Sequence, residues 1–208
     1  PQPHGNTETM SFFRRDTPTT HAQPAGDCTQ HSPCRERLAI PTAERDAQLR
    51  LIITRTSDLG PDGIYVHLND ELVALLVAMG PGESGRFQRA FPVLGHVVPR
   101  WNTTHQALIG RAIENMRRDD VTVESYDQGE SSPLYIVADQ GVSGVAQLVR
   151  LEELLGTALP YGALVGIPRA HQIVAVPIRR HRDVNSMEPL LRLVYDVGSK
   201  APDRLSLD

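Results

Sequence analysis

Read for its apolar and polar positions, the chain divides near residue 41. Before that point Pro, Thr, Gln, His and Gly follow one another with no sustained apolar period. Such a segment buries too little apolar surface to offset the entropy of ordering it. The expectation is a disordered N-terminal tail over 1–41 and a single α/β-type domain over 42–208. Within the domain, Leu51-Ile52-Ile53 and Ile64-Tyr65-Val66 predict strands, parted by the turn-forming Asp58-Leu59-Gly60-Pro61-Asp62-Gly63. Asn69 stands where an N-cap belongs, and Leu72, Leu75, Leu76 and Met79 follow at helical spacing up to Gly80-Pro81-Gly82, so a helix is predicted there. A long irregular stretch over 80–101 comes next, a lid candidate if it folds over a pocket, because structureless loops of that length in compact domains are often functional.

Asn102 or Thr103 is expected to cap a second helix with Leu108, Ile109, Ala112, Ile113 and Met116 on its apolar face, and with Arg117 and Arg118 at the negative end of its dipole. Strands are predicted over 121–125 and 134–138, then a third helix turning Val145, Leu148, Val149 and Leu155 inward. The apolar runs over 163–167 and 173–176 flank Pro168-Arg169-Ala170-His171 and predict a hairpin. A last helix from about Ser186 carries Met187, Leu190, Leu191, Val194 and Val197, the cleanest 3–4 spacing in the chain. Strands and helices alternate, yet the short links demand antiparallel pairing. The fold class is therefore α/β or α+β, a mixed sheet with about four helices.

Composition narrows the function classes. A formal net charge of −4 offers no global attraction to nucleic acid or anionic lipid. Basic charge rests on Arg, with Lys200 the one lysine. Both cysteines, Cys28 and Cys34, lie in the tail, so no disulfide framework is expected in the body. No apolar run approaches the roughly 20 residues of a membrane span, and no secretory leader pattern is present. A cytoplasmic protein with no membrane partner is the expectation, and Met10 is a candidate native start.

Several stretches resemble chemical motifs. Gly80-Pro81-Gly82-Glu83-Ser84-Gly85-Arg86-Phe87 has the glycine spacing of a phosphate-binding loop, but Arg86 and Phe87 stand where Lys and Ser or Thr are required. Gly141-Val142-Ser143-Gly144-Val145 approaches a nucleophile elbow with its second glycine one residue early, so Ser143 reads more simply as a helix N-cap. Cys28, His31 and Cys34, with His21, count as zinc ligands but lack the turn and helix that anchor such sites. The pairs Asp70-Glu71 and Glu152-Glu153 are expected on helices, where neighbours diverge by about 100° and cannot converge on a substrate. The concentrated basic cluster is Arg179-Arg180-His181-Arg182, with Arg169 and His171 at the neighbouring hairpin tip. Guanidinium groups of this kind hold phosphate or carboxylate partners through charge-assisted bonds. Arg169, His171, Arg179, Arg180 and Arg182 are therefore the candidate anion- or partner-binding residues, at opposite ends of one hairpin. No interleaved aromatics accompany them, which argues against nucleic acid.

From Trp101-Asn102-Thr103-Thr104 through Ala112-Ile113-Glu114-Asn115, Val165-Gly166-Ile167-Pro168-Arg169 and Val174-Ala175-Val176-Pro177 to Leu205-Ser206, the second half of the chain resembles the YtpQ-like bacterial family of unknown function. That family tends to follow the hairpin proline with an Arg-Asp pair, whereas Arg169 is followed by Ala170 and His171. The resemblance implies a bacterial cytoplasmic α/β protein and brings no activity with it. With no convergent catalytic set, no cofactor motif and no metal set in the body, the leading expectation is a non-enzymatic protein-binding or accessory module, of the kind that includes immunity proteins. The alternatives are a small hydrolase or phosphate-ligand enzyme using Arg169, His171 and Ser143, and a homo-oligomer formed through the apolar hairpin.

Overall fold

A computed structural model describes residues 42–60, 62–81, 88–139, 141 and 143–200. The tail expectations, including the Cys28, His31 and Cys34 ligands, fall outside these residues, as do most of the glycine-rich loop after Pro81 and the terminal Leu205-Ser206. The described residues form an α+β fold with two antiparallel sheets. Helix α1 (Thr42–Gln48) leads into β1 (Leu49–Arg55), followed by β2 (Tyr65–His67), β3 (Leu72–Pro81) and β4 (Gln88–Pro92). A 3₁₀ helix (Gly95–Trp101) and α2 (His105–Met116) connect this first sheet to β5 (Val121–Tyr126) and β6 (Leu134–Asp139). Another 3₁₀ helix (Gly144–Arg150), α3 (Leu151–Leu155), the hairpin β7 (Ala163–Arg169) and β8 (Gln172–Pro177), a further 3₁₀ helix (His181–Ser186) and α4 (Met187–Gly198) follow, and a short 3₁₀ turn (Thr56–Asp58) lies between β1 and β2.

The helix expected after Asn69 is instead β3, the central strand of the first sheet. One edge of β3 pairs with β1 along Leu72 to Ala78. The other edge pairs first with β2 at Val73 to Leu75 and then with β4 at Val77 to Pro81. Val73, Ala74, Leu76 and Val77 are completely buried. A strand covered on both faces reads as an unbroken apolar run, which spacing alone does not separate from a buried helix. The Asn69 carboxamide accepts from the N–H groups of Glu71 and Leu72, so it closes the β2–β3 turn and caps no helix. The stretch over 80–101 is likewise structured where described, by β4 and the 3₁₀ helix. Asp70 and Glu71 consequently lie at a strand turn.

The N-cap of α2 is Thr104, one residue past Thr103 and two past Asn102, and its hydroxyl accepts from Ala107 N–H at 3.2 Å. Its Leu108, Ala112 and Met116 pack with Leu49, Leu51, Ala74 and Leu76 of the first sheet. Asn115 extends the same face, its side-chain amide donating to the carbonyls of Asp46 and Leu49 and so satisfying the end of α1. Arg45 of α1 lies over the Trp101 ring, 4.5 Å from its centroid.

The second sheet has the order β5-β6-β8-β7. On one face Val137, Ile173 and Ala175 pack against Val145, Leu151 and Leu155 and reach Ile53 of β1. On the other, Leu134, Val174 and Val176 pack against Leu190 of α4. The approach of α4 to β7 depends on Gly166: a Cβ there would lie 2.2 Å from Cγ2 of Val194. Gly144 makes a second close approach, at φ +47°, where a Cβ would lie 2.4 Å from the Ala170 carbonyl oxygen.

Candidate functional site

The chain leaves β8 at Pro177 and turns through Ile178-Arg179-Arg180 into the 3₁₀ helix before α4. Nothing in that basic loop explains its shape until Asp183 is considered. The Asp183 side chain is fully buried. One carboxylate oxygen accepts from the backbone N–H groups of Arg179 and Arg180, both at 2.9 Å, and the other from Ser132 N–H at 3.0 Å. Burial alone pushes a carboxyl up, but here the hydrogen bonds from Arg179, Ser132 and Arg180 outweigh it and hold Asp183 down at about 2. The bonds join the β5–β6 loop to the β8–α4 link, and a bond from Ser186 to Gln128 adds to the join.

With its backbone held this way, the loop turns its guanidinium groups outward. Arg179 donates to Thr157 Oγ1 at 3.0 Å, Arg180 to the Glu130 carbonyl at 2.9 Å, and Arg182 to the Glu130 carboxylate at 3.0 Å. Arg182 and Glu130 are substantially exposed, so their ion pair is a surface one, contributing ~0–1 kcal/mol and screened by salt. Arg169 and His171 are not part of this loop. They lie at the hairpin tip, where Arg169 pairs in register with Gln172. The six residues of β8 separate the two groups, about 20 Å at ~3.3 Å per residue. The five candidate residues thus form two clusters at opposite ends of the hairpin.

The loop leads directly into α4, whose two sides differ. Leu190 is buried against the second sheet, with Leu193 and Val194 packed beside it. Met187, Leu191 and Tyr195, at i, i+4 and i+8, form a neighbouring row that is 49%, 60% and 74% exposed, and Val184 continues it at 41%. The spacing that predicted a core-facing stripe therefore includes two residues, Met187 and Leu191, that the core does not cover. The neighbouring charges on the helix are the exposed ion pair of Glu188 with Arg192 and, one turn on, Asp196.

A second polar cluster lies where the two sheets meet. Ser143 is buried, and its hydroxyl donates to Asp119 at 2.7 Å rather than capping the following 3₁₀ helix. Arg50 approaches the same carboxylate at 3.5 Å. Asp139, also buried, accepts from Gly141 N–H and from the Gln147 side chain, and Gln147 accepts in turn from Arg150. Arg150 and Arg117 then share Glu153, which they hold below the usual carboxylate range against the upward push of burial. Glu153 therefore bridges α2 to α3 instead of facing solvent alone. These bonds satisfy buried polar groups one by one, as a folded interior requires.

Among the described residues, no group of three or more His, Cys, Asp or Glu side chains could hold a metal ion. Likewise, no described helix is long and apolar enough to cross a membrane. Asp183, Glu130 and the outward row of α4 were missed from the sequence. Asp183 had one signal, an acid three residues after Arg180, where a turn of helix exposes N–H donors. Comparison of the chain with protein-family models, with curated proteins and with solved structures found no match.

Proposed function

We propose that the chain is a non-enzymatic protein-binding module that engages its partner through the outer side of α4. The observation that carries this reading is the row of exposed apolar side chains Met187, Leu191 and Tyr195 along one side of α4, continued by Val184 on the 3₁₀ helix before it. Exposed apolar residues scattered singly are ordinary, whereas a contiguous row rimmed by charge marks interaction surfaces. Arg180, Arg182 and Arg192 supply that rim, and the exposed ion pairs of Arg182 with Glu130 and of Arg192 with Glu188 are weak enough to be exchanged for a partner's. An accessory or immunity-type role fits a module of this kind. The hydrolase alternative draws less support, because the Ser143 hydroxyl is buried and directed at Asp119.

The test is site-specific photo-crosslinking in cells. A photoreactive residue at position 191 is expected to give an adduct of discrete mass, and one at Arg111, exposed on α2, is expected to give none. Tyr195→Asp should abolish the adduct from position 191. Absence of any adduct at 191, or equal labelling from 191 and 111, would overturn the reading.

A further inference from the structure

We infer that the partner seated on α4 is a second copy of this chain, its α4 antiparallel to the first across a two-fold axis. The inference rests on the reading of α4 as a docking surface and adds the identity of what docks. The argument comes from the order of residues along the exposed side. Arg182, Glu188, Arg192 and Asp196 alternate in sign along the chain, beginning with a positive charge and ending with a negative one. Read in reverse, the series begins negative and ends positive. A second copy laid antiparallel therefore meets opposite charge at each of these four positions, which parallel packing does not provide.

The apolar row has the same property. Val184, Met187, Leu191 and Tyr195 are centred between residues 189 and 190. Rotation by half a turn about that point sets Met187 opposite Leu191 of the second copy and Val184 opposite its Tyr195. It also sets Arg182 opposite Asp196 and Glu188 opposite Arg192, all to within one residue of register. An isologous contact requires a patch that is complementary to itself in this way. Antiparallel helices also set each dipole against the other, with the basic loop of one copy at the negative helix end of its neighbour. Lys200 lies at that same end, an unfavourable neighbour for Arg180, which is turned toward Glu130. A pair of helices of 12 residues each is a small interface beside the roughly 800 Å² per partner of a standard one, so the expectation is a concentration-dependent monomer–dimer equilibrium.

Sedimentation equilibrium of the full chain over a wide concentration range tests this. The average mass is expected to rise toward twice that of the chain, and Leu191→Asp should hold it at the monomer value while leaving circular dichroism unchanged. Arg182→Glu and Asp196→Arg should each weaken dimerisation by about tenfold, and the two together should recover most of that loss, because the exchanged charges meet again across the axis. A strict monomer, a dimer indifferent to Leu191→Asp, or a double variant weaker than either single one would overturn the inference. A strict monomer whose position 191 still crosslinks to a different protein ends the second-copy inference and leaves the docking reading in place. A strict monomer with no adduct at 191 ends both.

Discussion

Strand β3 and helix α4 carry the same spacing of apolar residues and use it differently. In β3, Leu72, Leu75, Leu76 and Met79 belong to a strand hydrogen-bonded on both edges, and its neighbours Val73, Ala74 and Val77 are as fully buried as Leu76. In α4, Met187, Leu190, Leu191 and Val194 belong to a helix that buries one side and exposes the next. The difference is that apolar spacing reports how much greasy surface must be covered. What covers it, and in which backbone form, is decided by the partners the segment finds.

Substitutions in the two elements should separate sharply. Leu76→Ala is expected to cost about 2–5 kcal/mol, because a completely buried strand residue leaves a cavity when truncated. Thermal melts would register this as a fall of roughly 2–4 °C per kcal/mol. An unchanged melt would mean that β3 is less enclosed than described. Asp183→Asn should lower the melting temperature by several degrees, since three backbone N–H groups lose the charge they converge on. Asp183 also predicts a pH dependence of defined sign. Its folded value, about 2, lies below its ordinary 3.8. Its stabilisation is therefore present above about pH 4 and fades as the pH falls toward 2, a loss that the Asn variant should no longer show in acid titration followed by circular dichroism.

Gly166→Ala should follow at about 1–3 kcal/mol, as the added methyl group forces Val194 and with it α4 away from β7. The smallest effect is reserved for the outer row. Leu191→Ala is expected to change monomer stability by no more than ~0.5 kcal/mol, measured by urea denaturation at low concentration. A cost near that of Leu76→Ala would place Leu191 in the core and remove the distinction between the two sides of α4.

The second half of the fold was the more legible in sequence. The strands around residues 121–126 and 134–139, the hairpin around Arg169 to Gln172, and α4 all carry patterns matched to their observed form, because each pairs locally or packs one face. The first sheet was harder to read. Its centre, β3, is covered on both faces and lacks alternation, while α1 and β4 are too short to show a period. For the candidate site, the guanidinium groups of Arg179, Arg180 and Arg182 were visible as a basic run. Their arrangement was not, since it depends on Ser132 and Glu130, about fifty residues away along the chain. Exposure of Leu191 was equally hidden, because periodicity describes a residue's direction relative to its own helix and says nothing of what stands opposite.

The contact between Gly166 and Val194 also has a consequence for how sequences of this shape can drift. The space between β7 and α4 at that point holds one side chain, supplied from position 194. A lineage that enlarges residue 166 must first shrink residue 194, and one that shrinks 194 opens a void that a methyl group at 166 would fill. The two positions act as a single inherited volume, and their substitutions are expected to arrive in compensating pairs.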